Sequence, residues 1–218
     1  PKVKEQYGKY TQYDLEGAKA LLDQAGFKDK DGDGFRDTPD GEKLSFDLIV
    51  PNGWTDWIST SQIAIEGLNQ IGIDVKLATP DGAAWRQSLL DGKFDMALNS
   101  WYVGATPYYQ LDDAFHSRNK GKTRFTAQRF FDPKLDQLLD AYTQTTDDAK
   151  RKELLDQAQT LLAEKMPVAV IYNNPIWYEY NSKRFTGWAT ADNPFVSPQN
   201  YDPNHERLLH LLALKPAQ

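Results

Sequence analysis

Residues 92–113 read GKFDMALNSWYVGATPYYQLDD, and the rest of the chain is organised around this stretch. Its apolar part, Phe94–Leu98, has the length and the flanking residues of a buried strand. The aromatic residues that follow are predicted to lie on a loop, because Gly104 and Pro107 disfavour a helix or a strand there. They are Trp101, Tyr102, Tyr108 and Tyr109, with a helix turn over Tyr108–Phe115 as the alternative for the last two. Since ligands of open α/β sheets bind beyond the carboxyl ends of the strands, this loop is predicted to form one wall of a small-molecule site.

Two further predicted strands are each followed by a loop that combines Asn with Trp. Leu44–Val50 precedes Pro51–Trp57, and the apolar Val168–Tyr172 precedes Asn173–Tyr178. The face of an indole ring attracts the C–H face of a pyranose, and an Asn side chain both donates to and accepts from hydroxyl groups. The predicted ligand-binding residues are Asn52, Trp54, Asp56, Trp57, Asn99, Trp101 and Tyr102. For any one of these Trp residues, packing in the core is the alternative interpretation.

Strands and helices alternate along the first half of the chain. Helices are predicted over 14–25, 58–71, 83–90, 134–143 and 147–165, and strands over 44–50, 73–77, 94–98, 168–172 and 208–214. Asp14 is a plausible N-cap of the first helix, and Gly26 ends it. Short links between alternating strands and helices favour an α/β fold, with a layered sheet and helices packed on its faces.

The composition excludes several functional classes. With 25 Lys and Arg against 31 Asp and Glu, the net charge of −6 provides no basic stripe for nucleic acid. Cysteine is absent, which removes thiol nucleophiles and Cys-bound metals. No hydrolase, zinc-protease or phosphate-loop motif occurs, so an enzyme is not expected. A glycoside hydrolase stays as an alternative, although the adjacent Asp112 and Asp113 are a poor match to carboxyl groups that face each other across about 5 to 9 Å.

The loop Asp29–Asp40 has the residue pattern of a calcium-binding loop. Acids fall at the first, third, fifth, ninth and twelfth places, with Gly34 at the sixth and a backbone carbonyl of Phe35 at the seventh. The candidate ligands are Asp29, Asp31, Asp33, Phe35, Asp37 and Asp40. The last place holds Asp instead of the usual Glu, and an Asp-Gly turn between a helix and a strand would favour the same residues. A structural Ca²⁺ site is therefore one of two interpretations.

Several segments resemble the C-terminal lobe of family 5 extracellular solute-binding proteins, the receptors of oligopeptide and oligosaccharide ABC importers. These segments are Asp14–Phe27, Asp31–Asp37, Gly92–Trp101 and Met166–Tyr172. Oligopeptide receptors of this family usually place an Asp shortly after the Trp that matches Trp101, whereas here no acid occurs before Asp112. Pro51–Trp57 and Phe185–Phe195 are similar to the branch that binds cello- or manno-oligosaccharides.

The resemblance implies a periplasmic-binding-protein-like lobe that binds an oligosaccharide and performs no chemistry, with an oligopeptide receptor as the alternative. Residues 1–199 would form the ligand-binding lobe, and residues 200–218 would return toward an N-terminal lobe that precedes this piece. The implied partners are that lobe and the membrane permease of the importer. The implied location is extracytoplasmic, with the signal or lipoprotein segment outside this piece. No cofactor is implied beyond the structural Ca²⁺ considered above.

Overall fold

The computed structural model describes residues 2–101, 106–173, 178–197 and 206–217. The chain divides into two compact units, Pro1–Ala169 and Val170–Gln218. The helices of the first unit are α1 (Lys2–Tyr7), α2 (Leu15–Gln24), α3 (Thr55–Gln70), α4 (Gly82–Asp91), α5 (Pro107–Phe115), α6 (Pro133–Thr143) and α7 (Asp148–Lys165). Its strands are β1 (Ser45–Ile49), β2 (Asp74–Ala78) and β3 (Met96–Ala97). Among the described residues, no helix has the length and apolar character needed to cross a membrane.

The three strands form a parallel sheet in the order β2-β1-β3. Leu48 of β1 lies opposite Leu77 of β2 and Met96 of β3, so the central strand is paired on both sides. Helices α3 and α4 provide the crossovers that parallel strands require. The predicted α/β class, with helices on a layered sheet, is confirmed.

The helix ends follow the local chemistry of the sequence. The Asp14 carboxylate accepts a hydrogen bond from the Gly17 amide at 2.9 Å, as expected of an N-cap. Asp81 likewise caps α4, and Gly92 closes that helix in the left-handed conformation with φ of 70°. The predicted helices over 14–25, 83–90, 134–143 and 147–165 are therefore confirmed to within a few residues.

Two apolar clusters hold the first unit together. One lies between the sheet and its helices, and its buried members are Val50, Trp57, Trp85, Leu89 and Ala127. The other joins α5, α6 and α7, and its buried members are Tyr108, Ala114, Phe115, Leu135, Leu138, Leu139, Leu154 and Ala158. The sheet is thus supported by a helical layer that has its own core.

The second unit contains strands β4 (Phe185–Thr186) and β5 (Lys215–Pro216), which pair antiparallel, and helix α8 (Glu206–Ala213). The His210 ring accepts a hydrogen bond from the Ala189 amide at 3.1 Å and contacts the edges or faces of aromatic rings, among them Trp188 at 5.5 Å. Gly187 has a φ of 87°, and a Cβ there would overlap the carbonyl oxygen of Ala213. Glycine is therefore needed where the chain leaves β4.

Two of the predicted strands are wrong. Residues 168–172 form no strand among the described residues, and Val170, Ile171 and Tyr172 are exposed. Apolar character alone cannot make a strand without a neighbour to accept its hydrogen bonds. Residues 208–214 lie mostly in α8, because Leu at spacings of three and four fits a helix as well as a short apolar strand.

Two loop predictions also need correction. Pro107 does not prevent a helix but occupies its first turn, where proline is favoured. Tyr108 and Tyr109 therefore lie on α5, not on a loop, and the alternative of a helix turn over Tyr108–Phe115 is confirmed. Similarly, α3 begins at Thr55, three residues before the predicted start, so Asp56 and Trp57 belong to a helix.

Candidate ligand-binding site

The loops that follow the three parallel strands lie along one edge of the sheet. The Val50 amide donates to the Ala78 carbonyl at 3.0 Å, and the Asn52 amide donates to the Pro80 carbonyl at 2.8 Å. On the other side of β1, the Leu98 amide donates to the Ile49 carbonyl at 3.1 Å. These bonds extend the sheet pairing past the strand ends, so the segments after β1, β2 and β3 begin side by side. The loop Pro51–Trp57 and the loop with Asn99 and Trp101 therefore begin on neighbouring strands, whereas residues 174–177 of the predicted loop Asn173–Tyr178 lie outside the described residues.

Three tryptophans form a cluster at this edge. The Trp54 ring lies 4.8 Å from the Trp57 ring, with the planes at 80°, and 5.8 Å from the Trp85 ring. The Trp57 and Trp85 rings lie 6.0 Å apart. Trp57 and Trp85 are buried, whereas Trp54 is 45% exposed. The two buried rings therefore support one indole that keeps a large part of its surface exposed.

Asn52 and Asp56 are exposed on either side of Trp54 in sequence. Within the described ranges, their side-chain polar atoms make no hydrogen bond to the protein, although the Asp56 carbonyl accepts from the Thr60 hydroxyl at 2.9 Å. An amide and a carboxylate next to an exposed ring are suited to bind sugar hydroxyl groups. Trp57 differs from these three residues, because its ring belongs to the buried core.

The loop after β3 is held by Arg124 from a short 3₁₀ turn. Its Nη1 donates to Asn99 Oδ1 and, at 2.9 Å, to the Ser100 carbonyl. In return, Asn99 Nδ2 donates to the Arg124 carbonyl at 2.8 Å. Asn99 Oδ1 also accepts from the Ser100 amide at 2.9 Å. Most of the hydrogen-bonding capacity of the Asn99 side chain is thus used within the protein.

Trp101 packs toward the helical core. Its ring lies 5.8 Å from the Phe115 ring, and its Nε1 donates to the Phe125 carbonyl at 3.3 Å. Tyr108 is buried and stacks on Tyr142 at 4.5 Å with nearly parallel planes. These rings fix the start of α5 against α6. Tyr102, the remaining predicted ligand residue, lies outside the described residues.

The acid nearest after Trp101 in the sequence, Asp112, already has partners. Its carboxylate pairs with the Arg118 guanidinium and accepts from the Tyr108 hydroxyl at 3.1 Å. Burial raises the pKa of the Tyr108 hydroxyl, which therefore stays protonated and can donate. Because its charge is compensated by Arg118, Asp112 is poorly suited to bind the ammonium group of a peptide.

The aspartate-rich loop brings three of its predicted ligands together. Carboxylate oxygens of Asp29, Asp31 and Asp37 lie within 4.8 Å of one another. Asp33 is directed elsewhere: it pairs with Lys43 at 2.5 Å, and this hydrogen bond lowers the pKa of the Asp33 carboxyl. Asp40 does not belong to the group of three. The arrangement is therefore not that of a complete calcium loop of the predicted pattern.

Sequence patterns did not identify two residues that shape the site. Trp85 lies in α4 and Arg124 in a 3₁₀ turn over Arg124–Thr126, and neither is among the predicted ligand-binding residues. The adjacent Arg124-Phe125 pair, a cation beside an aromatic ring, was the available signal. It could not reveal that the partners, Asn99 and Ser100, lie 24 or 25 positions earlier.

Comparison with known proteins identifies the class. Residues 1–122 match bacterial extracellular solute-binding proteins, family 5 Middle, and the chain belongs to this family. Members of this family are extracellular or periplasmic binding proteins of transporters. The predicted resemblance and the periplasmic-binding-protein type of fold are confirmed.

Particular relatives differ in the ligands that their names mention. The chain resembles a Thermotoga maritima periplasmic oligopeptide-binding protein of an ABC transporter, with a TM-score of 0.85, 30% identity, and coverage of 99% of this chain and 41% of that one. A mannohexaose-bound structure of the same Thermotoga protein gives a TM-score of 0.83, with 31% identity and the same coverage of both chains.

Two sequence relatives extend the comparison. The Bacillus subtilis oligopeptide-binding protein AppA is 27% identical over 184 residues, which cover 79% of this chain and 33% of AppA. The Rhizobium meliloti periplasmic α-galactoside-binding protein is 33% identical over 94 residues, covering 41% of this chain and 14% of that protein. The chain thus matches about a third of the length of AppA.

Proposed function

We propose that this chain is the ligand-binding lobe of an oligosaccharide receptor for an ABC importer. The observation that carries the proposal is the exposed Trp54 ring, supported by buried Trp57 and Trp85 at the carboxyl ends of parallel strands. A pyranose can lie flat on such a ring, while Asn52 and Asp56 bind its hydroxyl groups. The mannohexaose-bound Thermotoga relative supports this ligand class.

The proposed binding residues have unequal roles. Trp54, Asn52 and Asp56 contact the sugar directly, and Tyr102 is proposed to join them from the loop after β3. Trp57, Asn99 and Trp101 act by holding the surface in place, since the Trp rings pack against core residues and the Asn99 amide binds Arg124 and Ser100. The protein performs no catalysis in this proposal.

The second candidate ligand is an oligopeptide, which the similarity to AppA favours. A peptide receptor needs a carboxylate for the ammonium group and a cation for the carboxyl terminus. The pairing of Asp112 with Arg118 argues against that acid as the ammonium partner. Oligosaccharide is therefore the preferred ligand class.

Binding to the full-length protein that carries this chain tests the proposal. Calorimetric titration with manno-, cello- and xylo-oligosaccharides, and separately with a mixed peptide pool, is expected to show heat only with saccharides. Trp54→Ala is expected to weaken saccharide binding at least tenfold, whereas Tyr10→Ala, which removes an exposed ring from the 3₁₀ turn Gly8–Thr11, leaves it unchanged. Binding of peptides alone would replace the saccharide with the second candidate.

The proposal includes a second lobe and a membrane partner. Residues 1–199 form the ligand-binding lobe, and residues 200–218 return toward an N-terminal lobe, with the ligand enclosed by hinge closure. The exposed Leu residues of α8 support such packing, since Leu208, Leu209, Leu211 and Leu212 are each more than half exposed. The closed receptor then delivers its ligand to the permease outside the cytoplasm.

A structural Ca²⁺ at Asp29, Asp31 and Asp37 is proposed as an addition to this function. Three carboxylates in close proximity attract a hard cation, and extracellular sites bind calcium at roughly 0.1 to 1 mM. Calcium is expected to raise the melting temperature of the full-length protein, and Asp31→Asn is expected to abolish that rise. Asp33→Asn serves as the control because Asp33 pairs with Lys43. An identical melting temperature with calcium and with chelator would eliminate the site.

A further inference from the structure

We infer that Arg124 is a positioning residue that fixes the proposed saccharide surface, an inference that rests on the proposed function. Its guanidinium carbon lies 5.7 Å from the centroid of the Trp85 ring and 4.5 Å from that of Phe125. The same guanidinium donates to the Asn99 side chain and to the carbonyl of Ser100. One cation therefore links the loop after β3 to the tryptophan cluster that follows β1 and β2.

The chemistry of arginine suits this bridge. A planar guanidinium stacks on aromatic rings and presents several N–H donors in a fixed fork, so it can contact Trp85 and hydrogen-bond to the Asn99–Ser100 segment simultaneously. Ser100 Oγ lies 3.4 Å from both Nη1 and Nη2, which extends the contact along that segment. A lysine has a single charged nitrogen and cannot reproduce this geometry.

The position of Trp54 depends on this bridge through Trp85. Trp54 occupies the N-cap of α3, yet its side chain makes no capping hydrogen bond. Its ring contacts Trp57 and Trp85 at centroid distances of 4.8 and 5.8 Å. A displacement of Trp85 therefore changes the angle at which Trp54 presents its exposed surface. Arg124 determines that angle without having to touch the ligand.

Two variants of the full-length protein isolate this role. Arg124→Lys keeps the positive charge but removes the planar fork. Arg151→Lys is the matched control, because Arg151 also lies over an aromatic ring, that of Tyr142 at 5.3 Å, but is part of α7. Mannohexaose is the probe for calorimetry, and near-ultraviolet circular dichroism of the ligand-free protein reports the coupling between neighbouring indoles.

We expect Arg124→Lys to weaken mannohexaose binding by roughly tenfold, the effect of losing one well-placed contact. We also expect it to change the tryptophan dichroism, with Arg151→Lys leaving both unchanged even if its melting temperature falls equally. If the parent protein binds no saccharide, the ligand class fails, but the dichroism still tests the positioning role. An unchanged dichroism spectrum in Arg124→Lys, or saccharide affinity equal to that of the parent, would overturn the inference.

Discussion

Trp85→Ala is expected to destabilise the sheet-facing core far more than any change at the neighbouring exposed ring. The Trp85 side chain is 2% exposed, and a buried aromatic ring removes about 150 to 250 Å² from water. At about 25 cal/mol per Å², burial of this area contributes at most roughly 4 to 6 kcal/mol to the free energy of unfolding. Observed losses for Trp or Phe to Ala are about 3 to 5 kcal/mol. We therefore expect Trp85→Ala to lower the free energy of unfolding by about 3 to 5 kcal/mol.

The indole N–H makes Trp85→Phe an informative companion. The Nε1 of Trp85 is buried and has no hydrogen-bond partner in the described part of the chain. Leaving such a group unpaired costs about 1 to 3 kcal/mol. Phenylalanine has no buried N–H to leave unpaired and retains most of the aromatic ring. We therefore expect Trp85→Phe to change the free energy of unfolding by less than about 1.5 kcal/mol. The loss in free energy of unfolding should thus be at least twice as large for Trp85→Ala as for Trp85→Phe.

Amide hydrogen exchange measures these losses locally, which matters because a protein of several units need not unfold in one step. Peptides covering β1, α3, β2 and α4 are followed by mass spectrometry under conditions where the exchange rate reports the opening free energy. Each 1.4 kcal/mol corresponds to about tenfold faster exchange, so Trp85→Ala should accelerate these amides by roughly two to nearly four orders of magnitude. Acceleration below about tenfold, or equal effects of Ala and Phe, would refute the packing argument.

Three further predictions concern other parts of the first unit. Leu139→Ala removes a side chain that is 1% exposed, so the melting temperature should fall by an amount corresponding to about 2 to 5 kcal/mol, measured by calorimetry. Asp14→Ala removes the N-cap of α2 and should accelerate hydrogen exchange there by an amount corresponding to about 0.5 to 2 kcal/mol. Asp33→Asn should lower stability slightly at neutral pH, because the pKa of Asp33 is lowered by Lys43 in the folded state. The stabilisation by the ionised Asp33 carboxylate is fully present above its pKa in the unfolded chain and is lost as the pH falls through its pKa in the folded chain. The melting curves of parent and variant should therefore converge in acid.

Local signals predicted the elements that depend on local chemistry. The predicted N-cap Asp14 accepts a hydrogen bond from the Gly17 amide, and Gly92, which follows the predicted helix over 83–90, adopts a conformation that few other residues tolerate. These features need no tertiary context. The layered sheet followed from the alternation of strands and helices with short links, which is the order that a sheet with helical crossovers produces.

The sequence could not indicate which aromatic rings are buried. Trp54 and Trp57 lie three positions apart, yet one is 45% and the other 7% exposed. The difference arises because Trp57 falls on the side of α3 that faces the sheet, and the helix begins earlier than its apolar spacing indicated. Arg124 escaped prediction for a related reason: its partners are distant in sequence, and only the folded chain brings them together.

The energetics of one exposed ring explain why the proposed receptor needs two lobes. Trp54 retains 45% of its surface, or roughly 100 Å² if a Trp side chain has about 250 Å² in total. Covering this area contributes about 2.5 kcal/mol, whereas a dissociation constant of 1 mM already requires about 4.1 kcal/mol after the entropy of association is overcome. The surface on this chain therefore cannot retain a saccharide by stacking alone. Closure of a second lobe would cover the opposite face of the sugar and exclude water from its hydrogen bonds, which makes the exposed ring effective only in the closed protein. We accordingly expect calorimetry to detect mannohexaose binding to the full-length protein and not to residues 1–218 alone; equal affinities would place all the binding energy on this chain and contradict the two-lobe proposal.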